Sequence, residues 1–208
     1  MNEMARILFF VLGAVHLVVL AVGIPVVEFT TKALLMPVLA WWLHGQGGPR
    51  LMVAGLLLST GGDVALEFDG FFIVGMAFFA AAHVCYVTFF ARSFAAAGRR
   101  RWTITGVYAV VWAVLVVLLW PGLGDLQIPV AVYSLLLTAT AVFSAARGVL
   151  TGVGGALFLV SDSLIAFRIA DMELPMHGLL VMLTYMAAQY LLASGSLARS
   201  GGRSPALA

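Results

Sequence analysis

Residues 71–93 read FFIVGMAFFAAAHVCYVTFFARS, and from Phe71 to Ala91 the run holds no Asp, Glu, Lys or Arg. About 20 predominantly apolar residues suffice to cross a bilayer as a helix. Lipid offers the backbone no hydrogen bonds, so such a run must close its own as a helix. Nothing here opposes one: the stretch is rich in Ala, Phe and Met and contains no proline. Seven further runs of the same kind flank it, at 5–23, 29–44, 50–68, 102–120, 127–146, 149–168 and 176–197. The connections are short and hold turn residues: Gly45-Gln46-Gly47-Gly48-Pro49, Pro121-Gly122-Leu123-Gly124, and Asp171 to Pro175. The expectation is an all-α integral membrane protein with eight transmembrane helices in one bundle over residues 1–198. A short disordered tail, 199–208, follows.

Composition agrees. Of 208 residues, 63% are hydrophobic and 10% charged, against about 25% charged in an ordinary soluble domain. The first run, Ile7 to Val22, follows Arg6 but lacks a small-residue cleavage site, so it reads as a span rather than a removed signal. Lone Cys85 lies within an apolar run and forms no internal disulfide.

Ten of the eleven cations are arginines, placed mostly between apolar runs. That is a topology signal and not a nucleic-acid surface. With the N-terminus in the cytoplasm, Arg6, Arg50, Arg92, Arg99, Arg100, Arg101, Arg147, Arg199 and Arg203 fall on the inner side. Only Lys32 and Arg168 fall outside. Both termini are thus expected in the cytoplasm, and a bacterial inner membrane is the expected location.

The chain matches itself weakly at an offset of 99 residues: Leu58 with Leu157, Asp63 with Asp162, Phe68 with Phe167, Tyr86 with Tyr185. Four helices separate the copies, so both run in the same direction, as a parallel 4+4 repeat. The repeat places Asp63 and Asp162 at one depth in spans three and seven. Carboxyl groups inside apolar helices need a polar cavity or a partner. Two that face one pocket share a proton and titrate as a unit. One neutral carboxyl beside one carboxylate is equipment for general acid catalysis.

Other polar residues accompany them. Glu67 follows Asp63 by four residues, on one helical face. His83 and Tyr86 share a face of span four, and Tyr185 and Gln189 a face of span eight. His16 has no carboxylate company and reads as structural. His44 and His177 sit at helix ends. No His-x-x-x-His, Glu-x-x-His or Cys/His cluster marks a metal site. Phosphate loop, nucleophile elbow and dinucleotide fingerprint are absent. Gly148-x-x-x-Gly152 fits a small-residue helix contact.

Four stretches together resemble the YhhN-like lysoplasmalogenase family of eight-span membrane proteins. They are Thr31-Lys32-Ala33-Leu34-Leu35-Met36-Pro37; Gly62-Asp63-Val64-Ala65-Leu66; Gly75 to Phe79 with His83-Val84-Cys85-Tyr86; and Gly155 to Asp162 with Pro175 to His177 and Tyr185 to Gln189. Ala33 departs from the proline many members carry. The resemblance implies hydrolysis of the vinyl ether bond of lysoplasmalogens, giving a fatty aldehyde and a glycerophospho-alcohol. It implies Asp63 and Asp162 as the catalytic pair and no cofactor. His83, Tyr86, Tyr185 and Gln189 would support the pair. Lys32 would hold the lipid phosphate, with Glu67 near the headgroup ammonium. Membrane lipids and the lysophospholipid are the expected partners, with no nucleic acid. The alternatives are a proton-coupled transporter or lipid-binding protein, since midmembrane carboxylates also serve carriers, and a hydrolase of another ether or ester lipid.

Overall fold

The computed structural model describes residues 2–172 and 174–197. The tail expected at 199–208 lies outside them. The described residues form eight α-helices and no strand: α1 (Asn2–Val22), α2 (Pro25–Gly45), α3 (Arg50–Ala65), α4 (Phe72–Ala96), α5 (Arg100–Leu119), α6 (Gln127–Arg147), α7 (Val149–Ile169) and α8 (His177–Leu197). Two short 3₁₀ turns join α5 to α6. Among the described residues, seven helices are long and apolar enough to cross a membrane. α3, with 16 residues, is not one of them. The chain is built as a multi-pass membrane protein.

Several boundaries move from their sequence expectation by three or four residues, including α1, which begins at Asn2, and α4, which ends at Ala96; two of the shifts have a clear local reason. α2 begins at Pro25 rather than at 29. Gly23, at φ 78°, turns the chain, and proline suits a first helical position because its missing N–H has no intrahelical acceptor there. Lys32 therefore stands about 10 Å along α2 instead of opening it. α3 ends at Ala65 rather than at 68. The amides of Glu67 and Phe68 bond the carbonyls of Val64 and Ala65, both at 3.2 Å, three residues back. That tightening ends the helix, and Gly70 at φ 80° reverses the chain into α4.

α3 lies along α4 and α7 along α8; α4 also packs extensively on α6, and α2 stands between α1 and α3. α5 leans mainly on α6 and is the least buried of the candidate spans. A shift of four helices carries the α1–α2, α2–α3 and α3–α4 contacts onto α5–α6, α6–α7 and α7–α8. The α4–α6 contact departs from that order, because its counterpart, α8–α2, is slight.

Close approach is set by small residues, since lipid gives helices no hydrophobic reason to associate. A Cβ at Gly55 would lie 2.2 Å from the Tyr86 ring, and one at Gly62 would lie 2.5 Å from Phe79. Seven residues apart, the two glycines share a face of α3 and let the aromatic rings of α4 reach its backbone. Gly148 and Gly152 do not make the expected shared face. Gly148 precedes α7 with an extended backbone (φ 170°, ψ 176°), and Gly152 alone approaches Ala145.

Candidate active site

Asp63 sits in the last turn of α3 and is 4% exposed. Tyr185 of α8 donates its hydroxyl to Asp63 Oδ2 at 2.7 Å. Asp162 lies in α7 and is half-buried. Tyr133 of α6 donates its hydroxyl to Asp162 Oδ2. Each acid thus has a tyrosine from another helix. No hydrogen bond joins the two acids among the described residues. Aromatic rings stand between the two halves: Phe158 lies with ring centroids 4.7 Å from His83 and 5.6 Å from Tyr185, and Phe79 lies 6.0 Å from Tyr185.

The Tyr133 hydroxyl also meets His83 Nε2 at 3.2 Å, and His83 Nδ1 meets Thr140 Oγ1 at 3.0 Å. This chain is consistent in either direction. With Asp162 ionised, Thr140 donates to His83 Nδ1, His83 Nε2–H to Tyr133, and Tyr133 to Asp162. With Asp162 protonated every bond reverses, and Thr140 donates its hydrogen bond to the Leu136 carbonyl at 3.2 Å. A neutral histidine has one donor and one acceptor nitrogen, so either tautomer fits. Asp162 consequently has matched partners in both protonation states.

A second network ties α4 to α8 and α3. Tyr86 donates to Gln189 Oε1 at 2.9 Å, and Gln189 Nε2 donates to Ser59 Oγ at 3.0 Å. All three side chains are fully buried.

Two cavities meet at Asp162, and a third adjoins one of them. An apolar pocket of about 50 Å³ lies between α4, α6 and α7, with Leu66, Phe79 and Tyr133 in its wall. Another of about 50 Å³ opens between α5, α6 and α7, with Trp112 and Leu119 in its wall. The two share Val130, Tyr133, Asp162 and Ala166. A larger cavity of about 580 Å³, with charged side chains in its wall, adjoins the first through Leu66, Phe72, Ile165 and Ile169. In it Lys32 and Glu67 form an ion pair at 2.5 Å. Among the described residues no group of three His, Cys, Asp or Glu side chains gathers as for a metal ion.

The YhhN family model matches residues 27–196. The chain belongs to the YhhN family. Lysoplasmalogenase TMEM86B of Homo sapiens is similar, at 32% identity over 168 residues, covering 76% of this chain and 68% of that protein. The protein of the same name from Rattus norvegicus is 33% identical over 172 residues, 82% of this chain and 72% of its own length. A lysoplasmalogenase of Mycobacterium tuberculosis is 33% identical over 156 residues, covering 70% of this chain and 60% of that one. No solved structure matches.

In this YhhN chain the expected residues divide into three groups. Asp63 with Tyr185, and Asp162 with His83 through Tyr133, form two acid centres. Tyr86 and Gln189 bond one another and Ser59, and neither bonds an acid. Glu67 does not continue the Asp63 face, because α3 has ended; from the following turn it reaches Lys32. Tyr133 and Thr140 escaped the sequence reading. Their signal was a polar stripe on α6: Tyr133, Thr140 and Ser144 fall at i, i+7 and i+11, one helical face.

Proposed function

We propose that this chain is a lysoplasmalogenase that cleaves the vinyl ether bond of alkenyl lysoglycerophospholipids. The relatives' names supply the substrate class. The observation that carries the reading is the pair of carboxyl groups, Asp63 and Asp162, each receiving a tyrosine hydroxyl inside an apolar bundle. Vinyl ethers hydrolyse when a proton is added to the β-carbon, leaving an oxocarbenium ion on the carbon bonded to oxygen. Water adds there and gives up a proton. The resulting hemiacetal then collapses to an aldehyde and a glycerol hydroxyl. Asp162 suits the acid, because it lines the apolar pockets where an alkenyl chain would lie and has partners in both protonation states. Asp63 suits the carboxylate that stabilises the cation and orients water, as in glycoside hydrolysis. No cofactor takes part in this scheme. Lys32 and Glu67 part from one another to take the phosphate and ammonium of the headgroup.

On the same reading all eight helices cross the membrane, residues 1–198 act as one domain, and both termini lie in the cytoplasm of a bacterial cell. The helix contacts that repeat after a shift of four support a parallel 4+4 ancestry.

The test is aldehyde release from alkenyl-lysophosphoethanolamine by the purified protein in detergent. Wild type releases aldehyde, and Asp63→Asn and Asp162→Asn lose it while eluting as folded protein. Full activity in either variant overturns the acid pair. No aldehyde from folded wild type overturns the lysoplasmalogenase and favours a hydrolase of another ether or ester lipid first, a transporter second.

A further inference from the structure

Two buried histidines stand in the wall of the 580 Å³ cavity and play no part in the acid centres: His16 of α1, 1% exposed, and His177 at the start of α8, 5% exposed. Nε2 of each has no hydrogen-bond partner among the described residues. Buried polar atoms are rarely left unmet, and each that is asks for an explanation such as an absent ligand.

Proton accounting gives the two nitrogens opposite characters. Thr31 Oγ1 has one proton, which goes to the Val27 carbonyl at 2.7 Å or the Glu28 carbonyl at 3.0 Å. With that proton on a carbonyl, His16 Nδ1, 2.8 Å from the threonine oxygen, donates to it. A neutral His16 then carries a bare lone pair on Nε2. His177 is the reverse. The amide of Leu174 donates to its Nδ1 at 3.4 Å, so its proton sits on Nε2. The residues lining the cavity thus include one neutral acceptor and one neutral donor, each nitrogen covered until a ligand displaces its neighbours. Its charged lining residues are two cations, Lys32 and Arg168, and two carboxylates, Glu28 and Glu67.

That inventory complements a zwitterionic lysophospholipid. A phosphodiester only accepts hydrogen bonds, an ammonium only donates, and the free sn-2 hydroxyl is the one neutral donor. The volume lies in the range of about 300–1,000 Å³ found for small-ligand sites. The wall shared with the pocket at Asp162 puts the glycerol next to the reacting ether. We infer that this cavity is the glycerol-headgroup chamber, in which His177 Nε2–H donates to a phosphate oxygen and His16 Nε2 accepts from the sn-2 hydroxyl. His16 is then the residue that reads the lyso form. An sn-2 ester offers no proton and leaves the acceptor unpaired, the kind of mismatch that discriminates strongly. The inference rests on the lysoplasmalogenase reading.

The test is calorimetric binding of a saturated 1-O-alkyl lysophosphoethanolamine, which cannot be hydrolysed, and of its 2-deoxy analogue. Wild type binds the hydroxyl ligand about tenfold tighter. His16→Leu erases that difference, and His16→Gln, which keeps an acceptor, retains part of it. His177→Leu weakens both ligands alike, by about tenfold. Undiminished discrimination in folded His16→Leu, or wild-type binding in His177→Leu, overturns the chamber. If His16→Leu does not fold, the deoxy comparison in wild type and the His177 arm decide. Aldehyde release from the same wild-type preparation keeps the two readings apart. Discrimination without aldehyde preserves the chamber and sinks the lysoplasmalogenase, whereas aldehyde without discrimination does the opposite.

Discussion

Tyr133 stands between His83 and Asp162, and its hydroxyl has one proton for two neighbours. Removing that hydroxyl cuts the reversible chain and leaves His83 Nε2 without its partner. Tyr133→Phe is therefore expected to lower aldehyde release by about 10²-fold, the usual worth of a positioned acid or base, while the protein still elutes as folded. Tyr86→Phe is the contrast. It removes the bond to Gln189, which touches neither acid, so its effect should be a stability loss of about 1 kcal/mol, seen as a lower Tm with turnover kept. Equal activity losses in the two variants would show that the direction of the Tyr133 chain has no bearing on chemistry. The acids were legible in the sequence because a charge in an apolar helix stands out against its surroundings. Their tyrosines were only half legible. The internal repeat pairs Tyr86 with Tyr185, and Tyr185 does reach Asp63. Asp162 instead takes its tyrosine from α6, because α4 packs on α6 more heavily than α8 packs on α2. That asymmetry is invisible in the offset of 99 residues.

At the scale of the helix, α3 contributes more backbone than side chain to its contact with α4. Gly55 and Gly62 hold open the space that the Tyr86 and Phe79 rings fill. Gly55→Ala places a methyl group against a ring already locked by its bond to Gln189, so a destabilisation of about 1–3 kcal/mol is expected. Thermal unfolding in detergent measures it. Gly62→Ala pushes on Phe79, which lines the pocket at Asp162, so it should reduce aldehyde release as well as Tm. Gly106→Ala on α5 is the control. A Cβ there meets nothing within 4 Å, and alanine favours a helix over glycine by about 0.5–1 kcal/mol, so Tm should hold or rise. A Tm for Gly55→Ala no lower than for Gly106→Ala would rule out the close approach. Hydropathy made the helices readable, since a long unbroken apolar run in lipid must satisfy its backbone within itself as a helix. It located their ends less well, because ends depend on local backbone geometry. Gly23 followed by Pro25 was a readable start for α2, whereas the tightening after Ala65 left no apolar-to-polar step before Glu67.

Across the whole molecule, the two cations that break the inside-positive pattern, Lys32 and Arg168, line the same cavity. Their position follows from the short third helix. Sixteen residues extend about 24 Å, less than the hydrocarbon thickness of about 30 Å. Where α3 stops, the turn carrying Glu67 begins, and the chamber occupies the missing depth. A short helix thereby brings a charged cavity within reach of acids buried in the bundle. This account requires α3 to cross the membrane despite its length, so Gln46 and Asp69, just beyond its two ends, must face opposite sides. In a Cys85→Ser background, Gln46→Cys should react with an impermeant maleimide only after cells are permeabilised, and Asp69→Cys should react in intact cells. Both reacting from the same side would mean that α3 is re-entrant. That outcome would overturn the eight-crossing reading and the cavity with it, because Glu67, just past α3, could then not pair with Lys32 at the end of α2 opposite Gln46.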